Sequence, residues 1–119
     1  MKYHWQVYIV TREHLEEAKD TYKDAVGAID EWQDIVEGAR WHNIEEVRSV
    51  FKSADPVDGY VVFNIRGNRY RLITVIHYAR TTKKKQTMGH VYIRSFLTHE
   101  QYDNPANWDK KYGTKKGRK

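Results

Sequence analysis

The 119-residue sequence contains no cysteine and only two prolines, and it has no long hydrophobic run. Without cysteine the chain cannot form disulfides, thiolate metal sites or a cysteine nucleophile, and this absence fits a reducing compartment. The first residues lack the apolar segment of a signal peptide, and no run approaches the roughly 18 apolar residues of a membrane span. We therefore expect a cytoplasmic protein that does not enter a membrane.

Acidic residues are scarce in the second half of the chain. Residues 11–59 contain 13 acidic and 6 basic side chains, whereas residues 60–119 contain 3 acidic and 14 basic ones. Charges that serve only solubility are normally interspersed. The concentrated basic half therefore favours a polyanionic partner, most often nucleic acid. The alternative is a solvated charged surface without such a partner.

The first half of the chain has the pattern of one strand followed by helices. Residues 3–10 are rich in strand-forming side chains, and Thr11 is the expected N-cap of the helix that follows. Apolar residues at steps of three and four then predict two helices that meet near residues 22–27 and pack on a sheet. Asn43, with a glutamate three positions later, predicts the cap of a third, short helix.

The second half has the period-two alternation of a β-sheet. Gly67 and Asn68 predict a tight hairpin turn, and Thr98 predicts the cap of a helical turn through residue 103. The predicted strands are residues 60–65, 69–78 and 90–97, and the predicted loops are residues 53–59 and 79–89.

Several basic or polar side chains beside these strands are candidate RNA contacts. They lie in the hairpin turn, in the exposed loop of residues 79–89, and in residues 110–119. Residues 110–119 contain too few apolar side chains to fold, so we expect them to form a flexible basic tail. We expect residues 1–109 to form a single domain before this tail. The candidates are Arg66, Asn68, Arg69, Lys83, Lys84, Lys85, Lys110 and Lys111.

The sequence does not favour metal-dependent or triad chemistry. Its six histidines have no short ligand spacing, and the basic half has too few acids to bind Mg²⁺. It has no phosphate-binding glycine loop, dinucleotide fingerprint or nucleophile elbow. RNA cleavage needs none of these features, because the 2′-hydroxyl of RNA is the nucleophile and the protein supplies a base, an acid and cations.

Four residues in the predicted sheet region suit that chemistry. Arg71 and Arg94 lie within apolar strands, where partial removal from water strengthens the attraction of an arginine for phosphate. His99 and Tyr102 are three residues apart, so one helical turn places them on the same side. Other interpretations remain: each arginine snorkels to solvent or pairs with a helix carboxylate such as Glu16, and His99 only caps backbone carbonyls where the strand ends.

Two motifs resemble the HigB branch of the RelE-like bacterial toxins. The first is VFNIRGNRYRL at residues 62–72, and the second is VYIRSFLTHEQYD at residues 91–103. The family pattern is a Phe-Asn-Ile/Val-x-Gly-Asn-x-x-Arg-Leu segment, then an arginine-bearing strand that ends in Thr-His-x-x-Tyr-Asp. The resemblance covers about residues 58–104, and residues 1–57 agree only in layout.

This resemblance implies a small α+β fold, with a mainly antiparallel sheet and N-terminal helices on one face. It implies a toxin of a type II toxin–antitoxin pair that cuts mRNA on the ribosome without a metal or cofactor. The implied partners are ribosomal RNA and a HigA-like antitoxin. By position, Arg71 and Arg94 would contact the scissile phosphate, His99 and Tyr102 would lie beside them as acid or base, and Asp103 would be structural.

Two other functions fit the same residues. A non-catalytic RNA-binding module would use the same basic sheet face and would depend most on the lysines of the loop and tail. A protein-interaction domain would hold a basic partner on its acidic helices and would show no salt-sensitive affinity for RNA.

Overall fold

A five-stranded sheet forms the centre of the protein, whose computed structural model describes residues 8–84 and 86–108. Its strands are β1 (Tyr8–Val10), β2 (Asp55–Val57), β3 (Tyr60–Ile65), β4 (Tyr70–His77) and β7 (His90–Thr98), while β5 (Arg80–Thr81) and β6 (Gln86–Thr87) form a separate hairpin. The strand order is β1-β7-β4-β3-β2, and all neighbours are antiparallel except β1, which runs parallel to β7. The predicted α+β architecture with a mainly antiparallel sheet is confirmed.

Three helices pack against one face of the sheet, which we call the helix face. They are α1 (Glu13–Thr21), α2 (Val26–Glu37) and α3 (Ile44–Val50). The sequence predicted that two helices meet near residues 22–27, and a short 3₁₀ turn (Lys23–Ala25) joins α1 to α2 there. Trp32 of α2 meets Phe63 of β3 edge to face at 5.4 Å between ring centroids. Within the described residues, no helix has the length and apolar character needed to cross a membrane.

The opposite face, which we call the site face, carries alternate residues of β4 and β7. One end of it holds a second apolar cluster around Ile73 and Leu97, on which Tyr102 and Trp108 pack. At the other end, His77 of β4 and His90 of β7 are exposed. The site face is therefore partly covered at one end and open at the other.

A bulge in β7 interrupts the pairing of the two central strands. Ile73 pairs with Ser95 and Thr74 pairs with Ile93, so one extra residue, Arg94, is inserted into β7 between these pairs. A bulge of this kind bends its strand and redirects a side chain. Arg94 therefore occupies a special position in the strand that periodicity alone did not indicate.

Two predicted loops contain short strands. Within residues 53–59, β2 pairs with β3, and Pro56 is tolerated there because β2 is an edge strand. Within residues 79–89, β5 pairs with β6, and the exposed Lys83 and Lys84 lie at the tip of this hairpin. Predicting these segments as wholly irregular was wrong, because strands of two or three residues are too short to show a periodicity.

Thr11 does not cap α1, so that prediction was also wrong. Its hydroxyl donates to the carbonyl oxygen of Ile93 at 2.8 Å and accepts from the N–H of Ile93 at 3.0 Å. Its backbone φ of +62°, which is rare for a β-branched residue, accompanies this link between the end of β1 and β7. Helix α1 begins after Arg12 without a side-chain cap, and residues 3–7 lie outside the described residues.

Candidate functional site

The start of β4 and the end of β7 meet at one edge of the site face. Gly67 and Asn68 form the predicted turn, which the N–H of Arg69 closes by donating to the carbonyl of Arg66 at 3.2 Å. Strand pairing then sets Arg71 opposite Leu97. A second backbone bond, from the N–H of His99 to the carbonyl of Arg69 at 2.8 Å, joins the two segments. The two sequence motifs are thus adjacent in space.

A capped helical turn follows β7 at this edge. Thr98 is the N-cap of α4 (His99–Tyr102), and its hydroxyl accepts from the N–H of Gln101 at 3.1 Å. The side chain of Gln101 in turn accepts from the N–H of Thr98 at 3.0 Å, which completes a capping box. This confirms the predicted cap and gives the side chains of α4 a defined direction.

Arg71 is the buried cation of the site, with only 9% of its surface exposed. Its guanidinium donates to the side-chain oxygen of Asn68 at 2.6 Å and to the Asn68 carbonyl at 3.1 Å. It also donates to the Tyr70 carbonyl at 3.3 Å and contacts Nδ1 of His99 at 2.9 Å. Arg71 therefore does not snorkel to solvent, and Glu16 pairs instead with Lys19 of its own helix.

His99 is oriented by the same guanidinium. An arginine can only donate hydrogen bonds, so Nδ1 of His99 must be the acceptor in this contact, and the proton of the neutral ring lies on Nε2. The Nε2 atom faces the Asp103 carboxylate at 3.6 Å. The side chain is 46% exposed, so the ring is fixed at one nitrogen and open to a substrate.

Tyr102 lies beside Arg71 on the same side of α4 as His99. The Cζ atom of Arg71 is 5.5 Å from the centre of the Tyr102 ring, a cation–π distance. Trp108 stacks on Tyr102 at 4.7 Å between ring centroids and donates its indole N–H to the Tyr102 carbonyl at 2.9 Å. Burial, assisted by the charges of Asp55 and Asp103, raises the pKa of Tyr102. An ordinary phenol is already protonated at neutral pH, and this shift makes the phenol of Tyr102 harder still to ionise.

Arg94 lies farther along the site face than Arg71. Arg71 is opposite Leu97, and Arg94 precedes Leu97 by three residues, which corresponds to about 10 Å along a strand. Arg94 lines a hollow of about 220 Å³ together with Val75, His77 and Tyr92. The structure thus brings together Arg71, His99 and Tyr102, which we call the contact group. It places Arg94 at a second position on the same face.

The candidate RNA contacts have different surroundings. Arg66 and Arg69 lie 3.4 and 3.6 Å from the carboxylate of Asp24, and the carbonyl and side chain of Asn68 hold Arg71. Lys83 and Lys84 are exposed at the hairpin tip. Lys85, Lys110 and Lys111 lie outside the described residues.

Sequence reasoning missed two residues that shape this site. Asp24, in the 3₁₀ turn, neutralises part of the hairpin charge and accepts a hydrogen bond from the Tyr70 hydroxyl at 2.6 Å. Trp108 supports Tyr102 from beyond α4. No signal in the sequence pointed to Asp24, whereas an isolated tryptophan in a polar segment could have suggested a docking contact for Trp108.

The contact group offers acid–base and anion chemistry without a metal cluster. In residues 8–84 and 86–108, no three His, Asp or Glu side chains lie close enough to hold a metal ion. The buried guanidinium can bind an anion, an imidazole can exchange a proton, and a protonated phenol can donate one. These are the groups that a phosphodiester transfer needs.

Comparison with known proteins identifies the family. A search of curated protein sequences finds no match. The family model for HigB_toxin, described as the RelE-like toxic component of a toxin–antitoxin system, matches residues 25–105, which include both motifs and the whole contact group. Because this match covers more than half of the chain, the protein belongs to the HigB toxin family of RelE-like toxins.

Proposed function

We propose that this protein is a metal-independent endoribonuclease that cleaves mRNA on the ribosome in the cytoplasm. The observation that carries the proposal is the contact of the buried Arg71 with His99 at 2.9 Å, beside the protonated phenol of Tyr102. A buried arginine, an accessible imidazole and a phenol at one edge of a basic sheet form a site for an RNA phosphate and its neighbouring 2′-hydroxyl.

Arg71 is the proposed ligand of the scissile phosphate. Its low exposure weakens screening by water, so its attraction for a phosphate is stronger than at the protein surface. The Asn68 bonds hold the guanidinium in place, and the contact with His99 is the one a phosphate oxygen replaces. Arg94, about 10 Å away along the same face, is the proposed second arginine on the phosphate.

His99 is the proposed general base. When the phosphate takes the guanidinium donor from Nδ1, the lone pair of that nitrogen is released beside the substrate. It then removes the proton of the 2′-hydroxyl as the 2′-oxygen attacks phosphorus. The bond from phosphorus to the 5′-oxygen breaks, leaving a cyclic phosphate on one fragment and a 5′-oxygen that needs a proton.

Tyr102 is the proposed proton donor to the departing 5′-oxygen. Its raised pKa keeps the phenol protonated at neutral pH, so it is unsuited to the role of base. An alkoxide is far more basic than a phenolate, so the transfer is downhill. Trp108 fixes the ring by stacking, which positions the hydroxyl.

The other cations are proposed to hold the RNA and ribosome outside the cleavage point. Arg66 and Arg69 keep exposed surface even with Asp24 beside them, and Lys83 and Lys84 project from the hairpin tip. We extend the same role to the polar Asn68 and to Lys85, Lys110 and Lys111. Such contacts supply affinity that falls with salt and carries no sequence information.

We also propose that a HigA-like antitoxin neutralises this protein, since the family is defined as the toxic component of a toxin–antitoxin pair. A complex of the two proteins would restore growth to cells that express the toxin. Co-expression and co-purification of the two chains tests this part of the proposal, and a candidate antitoxin that neither binds nor restores growth contradicts it.

The main test is induced expression of wild type, His99→Ala and the matched control His14→Ala. His14 lies on α1 and lines a hollow with Phe96 on the helix face, outside the site. We expect growth arrest and new mRNA 5′ ends, mapped by primer extension, for wild type and His14→Ala. The His99→Ala variant should give neither at equal soluble level. Cleavage that persists in His99→Ala excludes His99 as the base.

A non-catalytic RNA-binding function is the second candidate, and one observation favours it. The hydrogen bonds of Arg71 to Asn68, Tyr70 and His99 all lie within the protein, as expected of an arginine that only holds a turn in place. This function predicts intact mRNA after expression together with salt-sensitive binding of RNA. The same primer-extension experiment therefore separates the two candidates.

A further inference from the structure

The open end of the site face carries a row of rings that the proposed cleavage chemistry does not use. Tyr8 of β1 stacks on His90 of β7 with centroids 5.9 Å apart and an interplanar angle of 29°. His90 lies 6.0 Å from Tyr92, and Tyr92 meets His77 of β4 at 5.0 Å. We call these four residues the ring platform.

Strand register explains why the four rings form one surface. Tyr8 and His77 both pair with His90, from the two sides of β7, so the three lie side by side across the sheet. Tyr92 is two residues after His90 and therefore on the same face. The neighbouring residue Ile9 enters the core on the helix face, which confirms that Tyr8 points the other way.

The platform is exposed, although aromatic side chains normally stabilise a protein by being buried. Tyr8 is 42% exposed, and both histidines are exposed to solvent. These four rings belong to neither of the two apolar clusters, so they contribute little to the core.

The charges around the platform favour an anionic ligand. Residues 59–99, which supply every platform residue except Tyr8, contain no aspartate or glutamate. Arg94 lines the hollow of about 220 Å³ on one side, next to His77 and Tyr92. Arg80 lines a second hollow, of about 570 Å³, to which His77 and His90 also contribute. A continuous patch of flat rings with arginines near its edges suits a single strand, because rings can stack on bases while arginines contact phosphates.

We propose that the ring platform stacks unpaired bases of the bound RNA strand. This inference rests on the proposed function, because it extends the RNA path from the cleavage point along β4. Arg71 and His77 are six residues apart on that strand, about 20 Å, so the platform holds nucleotides beyond the scissile phosphate. Stacking of this kind tolerates any base, because every base has a π-face.

The test compares two fluorescein-labelled DNA strands of about nine nucleotides, one of thymidines and one abasic with the same phosphates. DNA has no 2′-hydroxyl and is not cut, so binding is measured alone. We expect wild type to bind the thymidine strand at least roughly tenfold more tightly than the abasic strand. The variants His90→Leu and Tyr92→Leu should reduce this ratio to below about threefold without changing the affinity for the abasic strand.

Matched variants separate stacking from folding. Tyr92→Phe keeps the ring and should keep the preference for bases, and His14→Leu on the helix face should behave as wild type. The proposal is overturned if wild type binds the two strands with equal affinity, or if it binds neither strand. Loss of the preference in Tyr92→Phe or in His14→Leu also overturns it, because stacking would then not be its cause.

Primer extension on mRNA distinguishes failure of the platform from failure of the proposed nuclease. A base preference in a protein that cuts no mRNA supports the platform and contradicts cleavage. Cleavage by wild type together with equal affinity for the two strands contradicts the platform and leaves the nuclease standing.

Discussion

The two faces of the central sheet are made from alternate residues of the same strands, yet their contents differ sharply. On the helix face, Phe63, Leu72, Val91 and Ile93 are at most 1% exposed. On the site face, β4 and β7 carry two arginines, two histidines and Tyr92 beside the buried Ile73 and Leu97. Adjacent residues therefore have different roles: Leu72 packs in the core, and Arg71 lies in the candidate site.

This difference shows how a small protein can keep an arginine nearly buried. The free energy of folding comes mainly from the helix face, where three helices cover the apolar side chains. The site face can then hold Arg71 by hydrogen bonds to Asn68 and Tyr70 instead of by an ion pair. A guanidinium with neutral partners retains its full charge for an incoming phosphate.

The largest expected effect comes from Arg71→Lys on the site face. Lysine keeps the charge but loses the fork that donates to Asn68 and to a phosphate at once. Removal of one such donor typically costs about 100- to 1,000-fold in rate. We expect this loss in cleavage of a reporter mRNA on purified ribosomes, with a circular dichroism spectrum like that of wild type. Cleavage within about threefold of wild type would show that the fork is unnecessary.

Leu72→Ala, at the neighbouring residue, should lower the stability of the protein and leave its cleavage activity unchanged. The side chain is fully buried against the helices, so its truncation should lower the free energy of unfolding by about 2–5 kcal/mol. Urea denaturation measures this loss. Cleavage per folded molecule should remain close to wild type. If Leu72→Ala instead loses cleavage while its stability is unchanged, the two faces are not separate in function.

The contact group was largely predictable from the sequence, because it depends on local rules. Period-two alternation placed Arg71 within a strand, the Gly67-Asn68 turn defined its hairpin, and Thr98 marked the end of β7. A helical turn after that end then put His99 and Tyr102 on one side. These rules bring the residues together once the two strands pair.

The remaining features depend on long-range contacts that no local pattern reveals. The bulge at Arg94 is visible only in the pairing of β7 with β4. The ion pairs of Asp24 join residues more than forty positions apart in the chain. The ring platform needs β1 beside β7, a parallel pairing between the two ends of the chain. Such pairings are decided by tertiary packing.

A smaller effect is expected at the border of the two faces, from Asp24→Asn. The change removes the negative charge next to Arg66 and Arg69, and the asparagine oxygen can still accept from the Tyr70 hydroxyl. Both arginines then attract RNA without competition, which should raise affinity about two- to fivefold at low salt. Fluorescence anisotropy against salt measures this change. Unchanged affinity, with an unchanged salt slope, would remove Arg66 and Arg69 from the RNA path.

The smallest effect is a pH dependence at the edge of the helix face. The hydrogen bond to Asp24 raises the pKa of Tyr70 above its ordinary value. A raised pKa means that the protonated phenol stabilises the fold, so this contribution is complete below about pH 10 and is lost as pH rises through the folded-state pKa. The Tyr70→Phe variant has no hydroxyl, so it lacks this stabilising contribution at every pH. We therefore expect the stability difference between wild type and Tyr70→Phe, measured in urea, to be constant near neutral pH and to shrink above about pH 10. A difference that grows with alkaline pH would mean that the ionised phenol is the form the fold prefers, which Asp24 beside it forbids.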